Sequence, residues 1–267
     1  MAVTERDESS APTPLVHGVV RRRPWWPLEF YRSAIGKKWV MALSGIALMG
    51  YVLAHMIGNL KVYLGPDDLN HYGEWLRELG EPALPRTVLL WILRSGLIAA
   101  FALHIHAAYA LTTMNWKSRA GGYQSRRDYL AANYASRTMR WSGVIVGAFV
   151  LWHLADLTWG WVNPDFVRGD PYHNLVESFS NPVVAAFYVL ANLALGLHLF
   201  HGAWSIFQSL GLNNPRFNHW RRRFAEAFAA VIVLGNVSFP VMVQVGLIDE
   251  DNRPPPVEVE AGREPDA

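Results

Sequence analysis

Pro182 to Ser209 reads PVVAAFYVLANLALGLHLFHGAWSIFQS, a run of 28 residues without one Asp, Glu, Lys or Arg. A helix needs about 20 apolar residues to cross the hydrocarbon of a bilayer, so this stretch is long enough to span one. Working outward, similar apolar runs occupy approximately residues 39–62, 87–114, 139–161 and 224–247. An open strand edge cannot satisfy its backbone in lipid, so all five runs read as helices. The expected fold class is all-α: an integral membrane bundle of five transmembrane helices within residues 25–248.

Composition agrees. Only 17% of the 267 residues are charged, against about 25% in an ordinary soluble domain, and those charges crowd into the tails and connections. Residues 1–24 are polar, end in Arg21-Arg22-Arg23 and read as a disordered tail. No cleavable signal peptide is expected, because the first apolar run begins only near Trp39 and is too long for one. Residues 24–38 mix aromatic and basic side chains and read as interfacial, with a short amphipathic helix. Residues 249–267 are acidic, contain Pro254-Pro255-Pro256 and read as a second disordered tail. The chain has no cysteine. That excludes disulfides and any cluster held by thiolates of this chain alone. No nucleic-acid partner is expected.

Lysine and arginine set the orientation. Seventeen of the 24 lie in the N-terminal segment through Lys38, the second connection and the fourth. The positive-inside rule therefore places the N-terminus in the cytoplasm and the C-terminus outside, in a multi-pass protein of the cell's inner (plasma) membrane. Trp39, Trp116, Trp141, Trp159 and Trp161 fall near predicted span ends, as interfacial aromatics do.

Six of the ten histidines fall inside predicted spans: His55, His104, His106, His153, His198 and His201. Ionisable side chains are costly in hydrocarbon, so each marks a functional site. A single one reads equally well as a helix-to-helix hydrogen bond; six on four helices do not. Imidazoles supplied singly by facing helices suit b-type haem, whose iron takes neutral imidazole as axial ligand. At 1.5 Å per residue, His55 lies roughly 25 Å from Lys38 and His153 roughly 20 Å from Arg140. His106 lies roughly 16 Å from Lys117 and His201 roughly 12–15 Å from Ser209. His55 and His153 thus share an outer level, and His106 and His201 an inner one, as two stacked haems require. His104 and His198 are the alternative ligands. Arg94 and Asp156 are charges within spans, read either as propionate or proton-relay groups or as a snorkelling cation and a polar cap.

Several segments resemble a known family. His55-Met56-Ile57-Gly58-Asn59-Leu60 with Asn70-His71-Tyr72, the pair His106-Ala107-Ala108-Tyr109 and Trp152-His153-Leu154, and above all residues 197–211 (LHLFHGAWSIFQSLG) are similar to the single-chain cytochrome b anchors of succinate dehydrogenase and fumarate reductase. The likeness runs over roughly residues 31–247. It implies a non-flavin subunit of succinate:quinone oxidoreductase, a complex of electron transport and the tricarboxylic acid cycle. Its partners are a flavoprotein subunit and an iron–sulfur subunit on the cytoplasmic side, with one or two haem b as cofactor and membrane quinone as substrate. Carried over, His106 and His201 hold the proximal haem and His55 and His153 the distal one. A His-ligated [2Fe–2S] cluster is the alternative centre; a Rieske-type cluster takes two His and two Cys, so ligands from elsewhere are required. Quinone needs a mostly apolar slot with a few polar groups. Ser33, Lys37, Trp39 and Ser44 offer these near the inner interface, and Asn59, Tyr63 and Asp68 near the outer. Competing readings are a histidine-relay transporter and a haem-free quinone-binding anchor. Assembly of the complex into a homo-oligomer is compatible with the sequence.

Overall fold

The computed structural model describes residues 25–118, 130–212 and 214–250, with residues 130–137 described by their backbone. The proposed tail at 1–24, the proposed tail at 249–267 from residue 251 onward, and most of the second connection lie outside the described residues.

The bundle begins at a corner. Helix α1 (Trp26–Arg32) meets α2 (Ala34–Asn59) at Ser33. The Ser33 hydroxyl accepts the Gly36 N–H at 2.9 Å and donates to the Phe30 carbonyl at 2.7 Å, which caps α2 and closes the turn. The Lys37 ammonium donates to the carbonyls of Arg32 at 2.7 Å and Tyr31 at 3.1 Å. Gly36 allows the close approach: a Cβ there would overlap the Phe30 carbonyl.

After a 3-10 turn at Leu60–Leu64 come α3 (Pro66–Glu78) and α4 (Val88–Lys117). Then follow α5 (Leu130–Leu157), α6 (Pro171–Ser180), α7 (Pro182–Ser209) and α8 (Asn218–Gln244), the last preceded by a 3-10 turn at Pro215–Phe217. The described residues contain no strand, so the all-α class stands. Among the described residues, four segments are long and apolar enough to cross a membrane: Ala34–Leu64, Val88–Lys117, Pro182–Ser209 and Pro215–Gln244. Helix α5 is as long as α7 but carries Arg140, His153 and Asp156.

The helices differ in length from the apolar runs for a simple reason. Hydropathy reports membrane depth, and a helix continues past it wherever its backbone stays bonded. Thus α2 begins five residues before Trp39, and α5 begins well before Arg140. At its other end α5 stops at Leu157, short of residue 161, and the chain turns through Gly160 at φ 69°. The short helices α3 and α6 are too polar for a hydropathy reading. Each starts on a proline at the first helical position, and α6 also has Asp170, whose carboxylate accepts the His173 N–H at 3.0 Å.

Helix α7 is the hub, packed on α8 and α5 and touching α2, while α4 leans mainly on α2. Small residues permit this: a Cβ on Gly196 of α7 would run into Val233 of α8, and one on Gly235 of α8 into Met56 of α2. One core cluster joins Met56, Leu195, Leu199, Ala229 and Ile232. At the opposite end from the α1 corner, α6 wedges Tyr172, Leu175, Val176 and Phe179 among Phe149, Tyr188 and Phe239. Asp156 ties this end together. It is 2% exposed, and its Oδ2 accepts from Ser178 at 2.6 Å and Tyr188 at 2.7 Å, linking α5, α6 and α7.

Two stability effects are expected, each measured by unfolding in detergent. Gly36→Ala forces α1 off α2 and costs about 1–3 kcal/mol, the usual range for overpacking, with a change in the fluorescence of Trp25 and Trp26. Asp156→Leu strands two buried hydroxyls at about 1–3 kcal/mol each; Asp156→Asn keeps an acceptor and costs less.

Candidate redox-centre site

Four helices, α2, α4, α5 and α7, bring imidazoles into the bundle interior at two levels. At the level farther from the α1 corner, the rings of His55 and His153 lie 5.8 Å apart, edge to face at 82°. His55 stacks on Tyr51 at 5.4 Å, and its Nε2 lies 3.4 Å from the Asn59 amide nitrogen. His153 sits between Phe149 at 5.8 Å and Tyr188 at 6.1 Å. Its Nδ1 is buried with no hydrogen-bond partner among the described residues.

At the nearer level the facing rings are His104 and His198, 6.3 Å apart at 73°. His104 Nδ1 lies 3.2 Å from the Met41 carbonyl and 3.3 Å from Ser44 Oγ. His198 Nδ1 lies 3.2 Å from Ser142 Oγ. A Cβ added to Gly45 would stand 3.3 Å from His104 Cε1, and one added to Gly143 would stand 3.4 Å from His198 Cε1. Glycine therefore leaves each imidazole its room. Ser44 precedes His55, and Ser142 precedes His153, by the same eleven positions. The two levels are thus about 16 Å apart along the bundle.

This arrangement fits a metal held between rings. An imidazole nitrogen binds a first-row metal at about 2.0–2.1 Å and the ring centre is ~1.1 Å farther, so two rings sharing one ion stand at most ~6.2–6.4 Å apart, the limit reached when they bind from opposite sides. The observed 6.3 and 5.8 Å are close to that span. Neither α2 with α5 nor α4 with α7 is in extended backbone contact, so each pair reaches across a gap between helices. The buried, unbonded Nδ1 of His153 is the polar atom that a purely structural role would satisfy. The donors are all imidazole, which matches haem iron.

Of the first-read ligands, the fold brings His55 and His153 together. His106 and His201 meet other groups. His106 Nδ1 is 2.5 Å from Tyr31 Oη and its ring stacks on Tyr31 at 5.8 Å; His201 Nε2 is 3.4 Å from Thr138 Oγ1 and its ring lies 5.1 Å from Phe200. The alternative ligands, His104 and His198, form the facing pair. Arg94 lies 5.4 Å over the Trp91 ring, while Asp156 holds Ser178 and Tyr188 three positions beyond His153. Among the quinone residues, Ser33 and Lys37 build the α1 corner and Trp39 is 40% exposed. Ser44 and Asn59 serve His104 and His55. Tyr63 donates to Ser238 at 2.6 Å, and Asp68 is 4.0 Å from Lys61.

Sequence reading did not single out Tyr31, Ser142, Ser178 or Tyr188. A signal existed for Ser142, the Ser-Gly step eleven residues before a histidine in both α2 and α5. Tyr31, Ser178 and Tyr188 gain their roles only through tertiary contact. Outside the bundle interior, His173, Glu177 and Glu250 each bring one ligand atom within 4.8 Å of the others. There His173 lies 2.9 Å from both Glu250 and the Asp165 carbonyl, tying the segment that follows α8 to α6.

No curated protein and no solved structure matches the chain. Residues 130–237, from the start of α5 into α8, match the family model described as succinate dehydrogenase/fumarate reductase transmembrane subunit, so this part of the chain is similar to that family.

Proposed function

We propose that this anchor carries electrons between the iron–sulfur subunit and membrane quinone through centres held by the two facing imidazole pairs. The observation that carries the reading is the juxtaposition of His55 with His153 and of His104 with His198. The family match contributes the context, since it includes α5 and α7 and so His153, His198 and His201. In this reading α5 is the fifth span. The basic connections face the cytoplasm of a plasma membrane, and the flavoprotein and iron–sulfur subunits dock there.

Haem b suits the all-imidazole donor set, and when bound its iron passes one electron at a time. The protein's own groups do the rest. His104 and His198 hold the inner centre, nearer the iron–sulfur subunit, and His55 and His153 the outer one. Gly45 and Gly143 keep space beside the inner imidazoles. Apolar walls exclude water. Asp156, fixed by Tyr188 and Ser178 beside His153, and Arg94 on α4 are the polar groups for a propionate or a proton at the outer level. Ser33, Lys37 and Trp39 at the α1 corner, or Asn59, Tyr63 and Asp68 at the far end of α2, would contact the quinone headgroup.

The test is a set of histidine variants of the purified complex, read by reduced-minus-oxidised spectra. His104→Ala or His198→Ala should remove the inner centre and slow quinone reduction about tenfold or more. His55→Ala or His153→Ala should remove the outer centre. His106→Ala and His201→Ala should keep both. Loss of the inner centre in the last two variants alone would return the ligand role to His106 and His201. Retention of every centre in all six would overturn the electron-carrying role.

A further inference from the structure

Helices α2 and α5 carry the same short pattern. Residues 41–55 read MALSGIALMGYVLAH and residues 139–153 read MRWSGVIVGAFVLWH. Met, Ser, Gly, Val, Leu and His coincide at 41/139, 44/142, 45/143, 52/150, 53/151 and 55/153. The next helix packed against each, α4 and α7, carries Leu-His at 103–104 and 197–198.

The matching positions make matching contacts. Ser44 of α2 meets Nδ1 of His104 on α4, and Ser142 of α5 meets Nδ1 of His198 on α7. Gly45 and Gly143 each face the Cε1 of the same imidazole. The Met41 carbonyl also lies 3.2 Å from Nδ1 of His104. His55 and His153, equivalent in the pattern, face each other. The α2–α4 and α5–α7 units are two copies of one device, running in the same direction and facing each other across the bundle.

The hydrogen bonds fix the chemistry of the device. A carbonyl can only accept, so Nδ1 of His104, 3.2 Å from the Met41 carbonyl, carries the proton. The serine hydrogens are committed elsewhere: Ser44 donates to Val40 at 2.7 Å, and Ser142 donates to Met139 at 3.2 Å. Ser44 Oγ is therefore an acceptor for Nδ1–H of His104, and the matching place of Ser142 assigns it the same role at His198. That leaves Nε2 of both rings as a lone-pair nitrogen, the form a metal takes, and the bond at Nδ1 makes it a stronger donor.

We infer that Ser44 and Ser142 are equivalent positioning residues for one centre shared by the two halves, each setting the tautomer and donor strength of the imidazole it holds. The inference rests on the reading of His104 and His198 as ligands of the inner centre.

Ser44→Ala and Ser142→Ala, made separately in the whole complex, test it by redox titration followed optically. Losing the serine acceptor at Nδ1, which leaves His104 only the Met41 carbonyl, weakens the ligand and disfavours the oxidised ion. The midpoint potential of the inner centre should therefore rise in both variants. Cofactor retention at that centre should weaken by up to about 10–100-fold. The outer centre should keep its potential, which also reports that the bundle is folded. Ser→Thr at either position restores a hydroxyl and should return the potential toward that of the parent. Unchanged potentials, or shifts of opposite sign, would overturn the inference even if His104→Ala and His198→Ala abolish the centre. If those histidine variants leave the centre intact, the ligand reading itself fails, and this inference with it.

Discussion

An imidazole inside an apolar bundle has two nitrogens with opposite needs, and the structure depends on meeting both. The protonated nitrogen must find an acceptor, because water is absent and an unsatisfied donor is expensive. The other keeps a lone pair that needs a proton or a metal. At the nearer level the donor is met by a serine oxygen and a helix carbonyl from the adjoining helix. The remaining lone pairs belong to rings 6.3 Å apart. Much of the bundle can be understood as the frame that keeps this geometry. Glycine beside each imidazole, small residues at the α7–α8 and α2–α8 contacts, and the Asp156 tie between α5, α6 and α7 all serve it.

The frame also accounts for the distribution of burial. Ala107 alone is buried on α4, whereas α7 buries eight residues. In water, α4 would be an unstable element. In lipid its outward Leu, Ile and Phe have a suitable solvent, and helix association rests on close packing and polar bonds rather than on apolar burial. The hub and the peripheral helix thus differ in contact, and both are predominantly apolar.

The sequence made the long helices and the histidine set legible for different reasons. Length and absence of charge mark a span without knowledge of its neighbours, so α2, α4, α7 and α8 were readable from composition alone. Helix α5 was readable too, although Arg140, His153 and Asp156 lower its apolarity, because its middle still contains the run from Val144 to Leu151. The short helices α3 and α6 were not, since they lie where polar residues are tolerated and only their prolines mark them. Histidines stood out by cost. Which of them face one another did not. His104 and His106 project to opposite sides of α4, and depth counted along a helix does not decide which side looks inward. The choice of His104 at the inner level comes from Ser44, Met41 and Gly45, which lie about 60 residues away in the chain and become neighbours only when α2 packs on α4.

The central claim is that imidazole nitrogens of this chain bind a redox-active metal, and pulsed electron paramagnetic resonance addresses it most directly. With the complex purified from cells fed ¹⁵N-histidine, a paramagnetic centre in the membrane domain should show hyperfine coupling to the labelled imidazole nitrogens, and His104→Ala should remove it from one centre. A membrane domain in which no paramagnetic centre couples to histidine nitrogen in either redox state would contradict the account.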